Sequence, residues 1–245
     1  MRRHSIWIVP VTLAGSAMVI AMQGEPGGDR SFTSEFGFDQ TTVFLPNGAN
    51  AYMSLQPGSY KRFAGEEDGA AVELEITVLP RVRPVVFEEQ GRKMIAFTRI
   101  VEEREYIDGE LAEVSKNYYA MCSRTGNIYN FGEDAEKYED GRIVSRDGSW
   151  LAGKDGARPG MLMPQTFLLG ARYSQAIAPG VSMDRAEHIE MGLTVVTPAG
   201  AFANCIKVLE TTPLEPDEET ISIFAPDIGL IEDDELILVE YNASR

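Results

Sequence analysis

The chain has 245 residues, 44% of them hydrophobic, and a formal net charge of −16. That length and composition suit one large β-rich domain or two small ones, with enough apolar residues for a sizeable core. The acidic balance argues against nucleic acid, which needs clustered Lys and Arg, and against an electrostatic hold on anionic lipid.

Residues 1–21 read as an export signal. Arg2 and Arg3 make a basic start, "IWIVPVTLAGSAMVIA" is the apolar run, and Val19 and Ala21 fit the small-residue positions before a cut at Ala21–Met22. Pro10 and Gly15 interrupt the run, which is short for a membrane span. Loss of Arg2 and Arg3, with no acid in residues 1–21, takes the net charge from −16 to −18. No second apolar stretch approaches spanning length, so the expected mature chain does not cross a membrane. Residues 22–40, rich in Gly, Ser and acids, read as a flexible lead-in, and residues 41–245 as a single β domain.

From there, turns dominate. Asp-Gly stands at 68–69, 108–109, 140–141, 147–148 and 155–156, and Asn-Gly at 47–48. These pairs accept the positive φ angles of tight hairpins. Between them the period is two. Val72, Leu74, Ile76 and Val78 alternate with Glu73, Glu75 and Thr77, a strand with one wet face. "RTGN" at 124–127 reads as a hairpin turn that sets Cys122 opposite Tyr129 and Ala120 opposite Phe131. Cys122, Tyr129 and Phe131 then share one covered face.

The stretch 148–173, "GSWLAGKDGARPGMLMPQTFLLGARY", lacks regular alternation and is rich in Gly, Pro and Met. A loop of that length is functional or a packed cover. Its Trp150, Met161, Met163 and Phe167 are costly to leave in water, so the segment is expected to fold over the sheet. Farther on, Ile189, Met191, Leu193 and Val195 alternate, the turn "TPAG" follows at 197–200, and "AFANCIKVLE" sets Phe202, Ile206 and Val208 on one face. "ETISIFA" at 219–225 and "ELILVEY" at 235–241 supply the last strands. The fold class is therefore mainly β: one antiparallel, strongly curved sheet of roughly ten strands, half-barrel or barrel, with a long irregular covering segment.

Chemistry is sparse. His188 is the one histidine beyond the leader, and alternation puts it opposite Ile189 and Met191, toward solvent. No Gly-x-Ser-x-Gly elbow and no phosphate loop is present. Two cysteines and one histidine cannot build a paired zinc site. In "GEDAEKYEDG" an EF-hand count from Asp134 meets Tyr138 and Glu139 where a ligand and a glycine belong. No metal and no cofactor is implied. Among the acids, Glu133 stands out because it follows Phe131-Gly132 at a strand end, where a ring and a carboxylate could meet a ligand together. Cys122 and Cys205, both in an exported chain, are expected to pair, closing a loop of about 80 residues at a gain of order 4 kcal/mol. Against the bridge, alternation sets Cys205 opposite Phe202, Ile206 and Val208; two separate buried thiols are the rival reading.

The segments "NYYAMCSRTGNIYNFGEDAEKY", "GSWLAGKDGARPGMLMP", "GARYSQAIAPGVSMDRAE" and "FANCIKVLETTPLEP" together resemble an uncharacterised group of exported bacterial β-rich proteins, over roughly residues 50–241. The resemblance implies a single exported domain, with a looser similarity to half-barrels of the lipoprotein-carrier type. It carries no reaction and no catalytic residue. Two functions stay in view. One is a non-catalytic exported domain binding an apolar small molecule, a lipid or a partner protein on a concave face, with Trp150, Met161, Met163, Phe167, Tyr129, Phe131 and Glu133 as candidate contacts. The other is a carboxylate-dependent hydrolase working near Glu133.

Overall fold

A computed structural model describes residues 31–242. The expected signal at 1–21 and the first part of the lead-in lie outside the described residues. In chain order the strands are β1 (Phe44–Leu45), β2 (Tyr60–Glu67), β3 (Ala70–Glu89), β4 (Arg92–Ile107), β5 (Glu110–Cys122), β6 (Ile128–Glu139), β7 (Arg142–Ser145) and β8 (Trp150–Leu151). After these come β9 (Arg158–Met163), β10 (Arg172–Ser174), β11 (Ala176–Ile177), β12 (Arg185–Thr197), β13 (Gly200–Thr212), β14 (Glu215–Ala225), β15 (Gly229–Asp233) and β16 (Leu236–Asn242). No helix occurs among the described residues, so none there is long and apolar enough to cross a membrane.

Turn chemistry sets the hairpins. Asp68-Gly69, Asp108-Gly109 and Asp140-Gly141 all have positive φ at both residues and close β2–β3, β4–β5 and β6–β7 with two-residue loops. Gln90-Gly91 does the same for β3–β4, a turn the Asp-Gly pattern does not reveal. The "RTGN" hairpin has a different register. Cys122 N donates to Asn127 O, Gly126 N donates to Cys122 O, and Tyr129 faces Ala120. The two-residue offset preserves the face, so Cys122, Tyr129 and Phe131 still pack in one cluster.

All sixteen strands belong to one sheet, in the order β10-β12-β13-β14-β15-β16-β2-β3-β4-β1-β5-β6-β9-β11, with β7 and β8 also on β6. The all-antiparallel expectation is corrected at β1, where Phe44 pairs in parallel with Ala96 of β4. Hydrogen bonds do not close the sheet. Its two end strands, β10 and β11, are nonetheless consecutive in the chain, with only Gln175 between them. One pairs with β12 and the other with β9, so the sheet bends round until its ends meet at a covalent seam. Gly160 makes that seam tight: a Cβ there would stand 2.3 Å from the Gln175 carbonyl oxygen.

The 148–173 segment extends the sheet, where a cover over it was expected. Within it, β8 pairs with Gly132 and Glu133, and β9 pairs with Ile128 to Asn130 of β6. The lead-in is also packed where it is described. Thr33 bridges Tyr173, Glu35 meets Arg158 at 2.7 Å, and Phe38 lies edge-on to Phe44 at 4.9 Å.

Candidate functional site

Register places a polar set on the same face as the apolar residues of β3. Leu74, Ile76 and Val78 face Glu105, Glu103 and Val101 of β4. Those in turn face Glu113, Ser115 and Asn117 of β5, and then Lys137, Ala135 and Glu133 of β6. Cross-strand partners point the same way, so this face is apolar on β3 and acidic on β4 to β6. Glu210 of β13, Ser222 of β14 and Asp233 of β15 are buried as well.

Two serines each lie between two buried acids. Ser115 Oγ is 2.9 Å from Glu113 Oε1 and 2.7 Å from Glu133 Oε1. Ser222 Oγ is 2.9 Å from Glu210 Oε2 and 3.0 Å from Asp233 Oδ1. A hydroxyl has one proton to donate, so the second contact is a hydrogen bond only when that carboxyl keeps its own proton and donates to Oγ. Burial works in the same direction. It raises Glu113 to about 7, helped by Glu105, and Asp233 to about 8, helped by Asp234 and Glu67. Glu105 also rises to about 7 through burial and Glu67, while burial holds Glu103 and Glu210 well above the usual carboxylate range.

Beside this set lies a cavity of about 130 Å³. Its apolar lining includes Ile76, Val78, Val101, Leu162, Met163 and Phe224. Its rim includes the exposed Asp227, Tyr241 and Asn242, and its buried polar lining is Glu103, Tyr119 and Gln175. Lys61 lines it too, its amine pushed down to about 8 by burial, with Glu103 the attraction that opposes the shift. Among the described residues no three His, Cys, Asp or Glu are placed to hold a metal ion. No family model, curated protein or solved structure matches the chain.

Of the residues singled out from sequence, Met163 lines the cavity. Phe167 instead stacks on His188, ring centroids 3.9 Å apart. Met161 packs against the aromatic cluster that contains Tyr129 and Phe131, and Trp150 packs with Ala157, Ala176 and Ala178. Glu133 is buried under Ser115 and does not line the cavity. The structure therefore does not bring these residues together around one opening. Glu103, Tyr119, Gln175 and Lys61 were not singled out. A signal for the acids did exist: a two-residue turn at Gln90-Gly91 puts Glu103 and Glu105 on the face of Val78 and Ile76.

Three further expectations are corrected. His188 is buried, while Ile189 and Met191 are exposed, so the first half of β12 turns the reverse of the expected face to solvent, whereas Leu193 and Val195, beyond the register shifts, pack on the core as their alternation requires. The neutral imidazole, pushed down to about 4 by burial, has Nε2 3.0 Å from Tyr173 OH and Nδ1 3.1 Å from Leu168 O. The Cys122–Cys205 bridge is not formed; both thiols are free and buried in different clusters. A bulge explains Cys205: Asn204 has φ +56° and the β12–β13 register shifts there, which turns Cys205 into the cluster of Phe202. Outside the cavity, Val82, Val86, Ile95 and Phe97 form an exposed apolar row on the β3–β4 hairpin.

Proposed function

We propose that this protein is a non-catalytic ligand-binding β domain, exported from the cytoplasm, that takes a small and mostly apolar molecule into its cavity. One observation carries the reading: an apolar-walled cavity of about 130 Å³ that runs from an exposed rim to buried polar groups. A cavity near 150 Å³ is about large enough for benzene. Pockets with apolar walls and a few convergent polar groups are the usual form of small-ligand sites.

The hydrolase alternative finds less support. Retaining or inverting chemistry needs two carboxyls flanking a substrate bond. Glu133 and Glu113 share one serine hydroxyl instead, and neither lines the cavity.

Thermal unfolding with toluene tests the binding reading. A ligand that binds only the folded state raises the melting temperature with concentration. Toluene should do so, and Val101→Phe, which fills the cavity, should abolish the rise. A melting temperature indifferent to toluene, benzyl alcohol and benzylamine alike would remove the reading.

A further inference from the structure

The cavity carries polar chemistry that its apolar walls do not require. Glu103, Tyr119 and Gln175 are 3%, 1% and 2% exposed, and all three line it. Each keeps a buried polar atom without a hydrogen-bond partner: Glu103 Oε2, Tyr119 OH and Gln175 Oε1. Such atoms are costly to bury unmade, and three along one cavity point to a ligand that completes them. Their polarity selects the ligand. Gln175 Nε2 already donates to Glu210 Oε1 at 2.9 Å, which fixes its amide and leaves the carbonyl oxygen as the open atom. Once ionised, the Glu103 carboxylate is an acceptor, and the phenol oxygen can accept as well.

An ammonium group offers three N–H donors to these three acceptors. We propose that the cavity binds a small primary amine with an apolar body of about benzene size, its head donating to Glu103, Tyr119 and Gln175. This deepens the cavity-binding reading and rests on it.

The surrounding carboxyls can be ionised by a cation and not by an anion. Glu103 feels Glu133 of β6, Asp233 of β15 and Glu113 of β5, and Asp227 stands at the rim. The opposing charge at the cavity is Lys61 of β2, which lies against Gly229: a Cβ on that glycine would stand 2.8 Å from Lys61 Nζ. An ammonium draws these carboxyls toward their charged form, whereas a carboxylate ligand would push them further toward protonation and find Lys61 alone to pair with. The net charge of −16 also draws cations toward the rim.

Proton bookkeeping follows from burial. Glu103 is held protonated in the empty cavity by desolvation. An ammonium arriving from water pairs with the carboxylate, and the Glu103 proton leaves to solvent. Binding an amine near pH 7 therefore releases protons, whereas binding an alcohol or a hydrocarbon does not.

Calorimetry of the intact protein with benzylamine, benzyl alcohol and toluene decides the matter. Benzylamine should bind about tenfold or more tighter than benzyl alcohol, as charge-assisted bonds in a dry site require. Its heat should vary with the ionisation enthalpy of the buffer, reporting proton release. Glu103→Gln should remove both the preference and the release, and Tyr119→Phe should weaken benzylamine while sparing toluene. The wild-type ranking of the three probes stands whether or not the variants fold. Benzyl alcohol or toluene binding as tightly as benzylamine overturns the amine inference and leaves the cavity reading intact. Failure of all three to bind removes both.

Discussion

The two faces of β5 and β6 are both buried, and they are built from opposite chemistry. One face carries Tyr118, Ala120, Cys122, Tyr129 and Phe131, packed against Phe38, Phe44 and Phe87. Its rings meet edge to face, with centroids 4.9 Å apart for Phe44 and Phe131 and 5.0 Å for Phe38 and Tyr129. The other face carries Glu113, Ser115, Asn117, Tyr119 and Glu133. Apolar area stabilises the first face with no directional demand. The second remains folded only while its carboxyls are hydrogen-bonded, neutral or paired. The difference teaches that a strand's alternation sorts residues into two sets without saying which set meets water. What lies across from each face decides that.

The largest test of the contrast is alkaline pH, which acts on the acidic face and leaves the aromatic one untouched. A carboxyl raised in the folded state binds a proton that the unfolded chain has already lost. Its stabilisation is complete below the unfolded pKa and is lost as pH rises through the folded one. Asp233, raised from 3.8 to about 8, gives up about 4 kcal/mol between pH 5 and pH 8, at ~1.4 kcal/mol per unit. Glu105 and Glu113, each raised to about 7, add losses in the same direction. His188, pushed down to about 4, works the other way below its unfolded value of 6.5 and returns about 2 kcal/mol. With about 2.5 kcal/mol from each of those two glutamates, the net loss between pH 5 and pH 8 is of order 7 kcal/mol, comparable to the whole stability of a small domain. Urea unfolding across that range measures it. Asp233→Asn should flatten the profile and unfold later than wild type at pH 8. A profile that is flat, or that rises toward pH 8, contradicts the protonated interior.

On the aromatic face a single truncation has the next largest effect. Phe131 is fully buried between Phe44 and Phe87. Phe131→Ala should cost about 3–5 kcal/mol, the usual loss for a buried ring that leaves a cavity. The loss should be the same at pH 5 and pH 8, because burial pushes the Tyr118 and Tyr129 phenols above their usual 10 and keeps them protonated throughout that range. A cost below about 1 kcal/mol, or one that changes with pH, would show that the two faces are not independent.

Much of the architecture was legible. Val72, Leu74 and Val78 are buried as their alternation requires, and three Asp-Gly pairs close the hairpins they were expected to close. Local chemistry decides such features, so local sequence reveals them. The cavity was not legible, because its walls come from β2, β3, β4, β5, β9, β14, β15 and β16, strands brought together only by the order of the sheet. Its polar lining was hidden for a second reason. In "VEEREYI" the inward set is Val101, Glu103, Glu105 and Ile107 and the outward set is Glu102, Arg104 and Tyr106, so two acids interrupt the inward aliphatics and no apolar stripe marks that side. The 148–173 stretch was misread because strands as short as Trp150–Leu151 leave no periodicity to detect. A bulge accounts for Cys205, since Asn204 at positive φ resets the alternation beyond it.

The smallest effect tests the same lesson on β12. By composition Ile189, Met191, Leu193 and Val195 should face the core and His188 should face water. The strand instead buries His188, at 1% exposure, and leaves Met191 53% exposed. The reversal has a physical cause. The inward side of β12 meets Phe167 and Tyr173, which offer the imidazole a stacking surface and a hydroxyl, and the Leu168 carbonyl satisfies its other nitrogen. A neutral histidine with both nitrogens bonded is an acceptable core residue. Register shifts on either side of Met191 loosen the pattern further. Met191→Ser should therefore change stability by less than about 0.5 kcal/mol, as surface substitutions do. Urea unfolding at pH 6 gives the answer. A loss above about 2 kcal/mol would place Met191 in a core and restore the orientation its neighbours suggest.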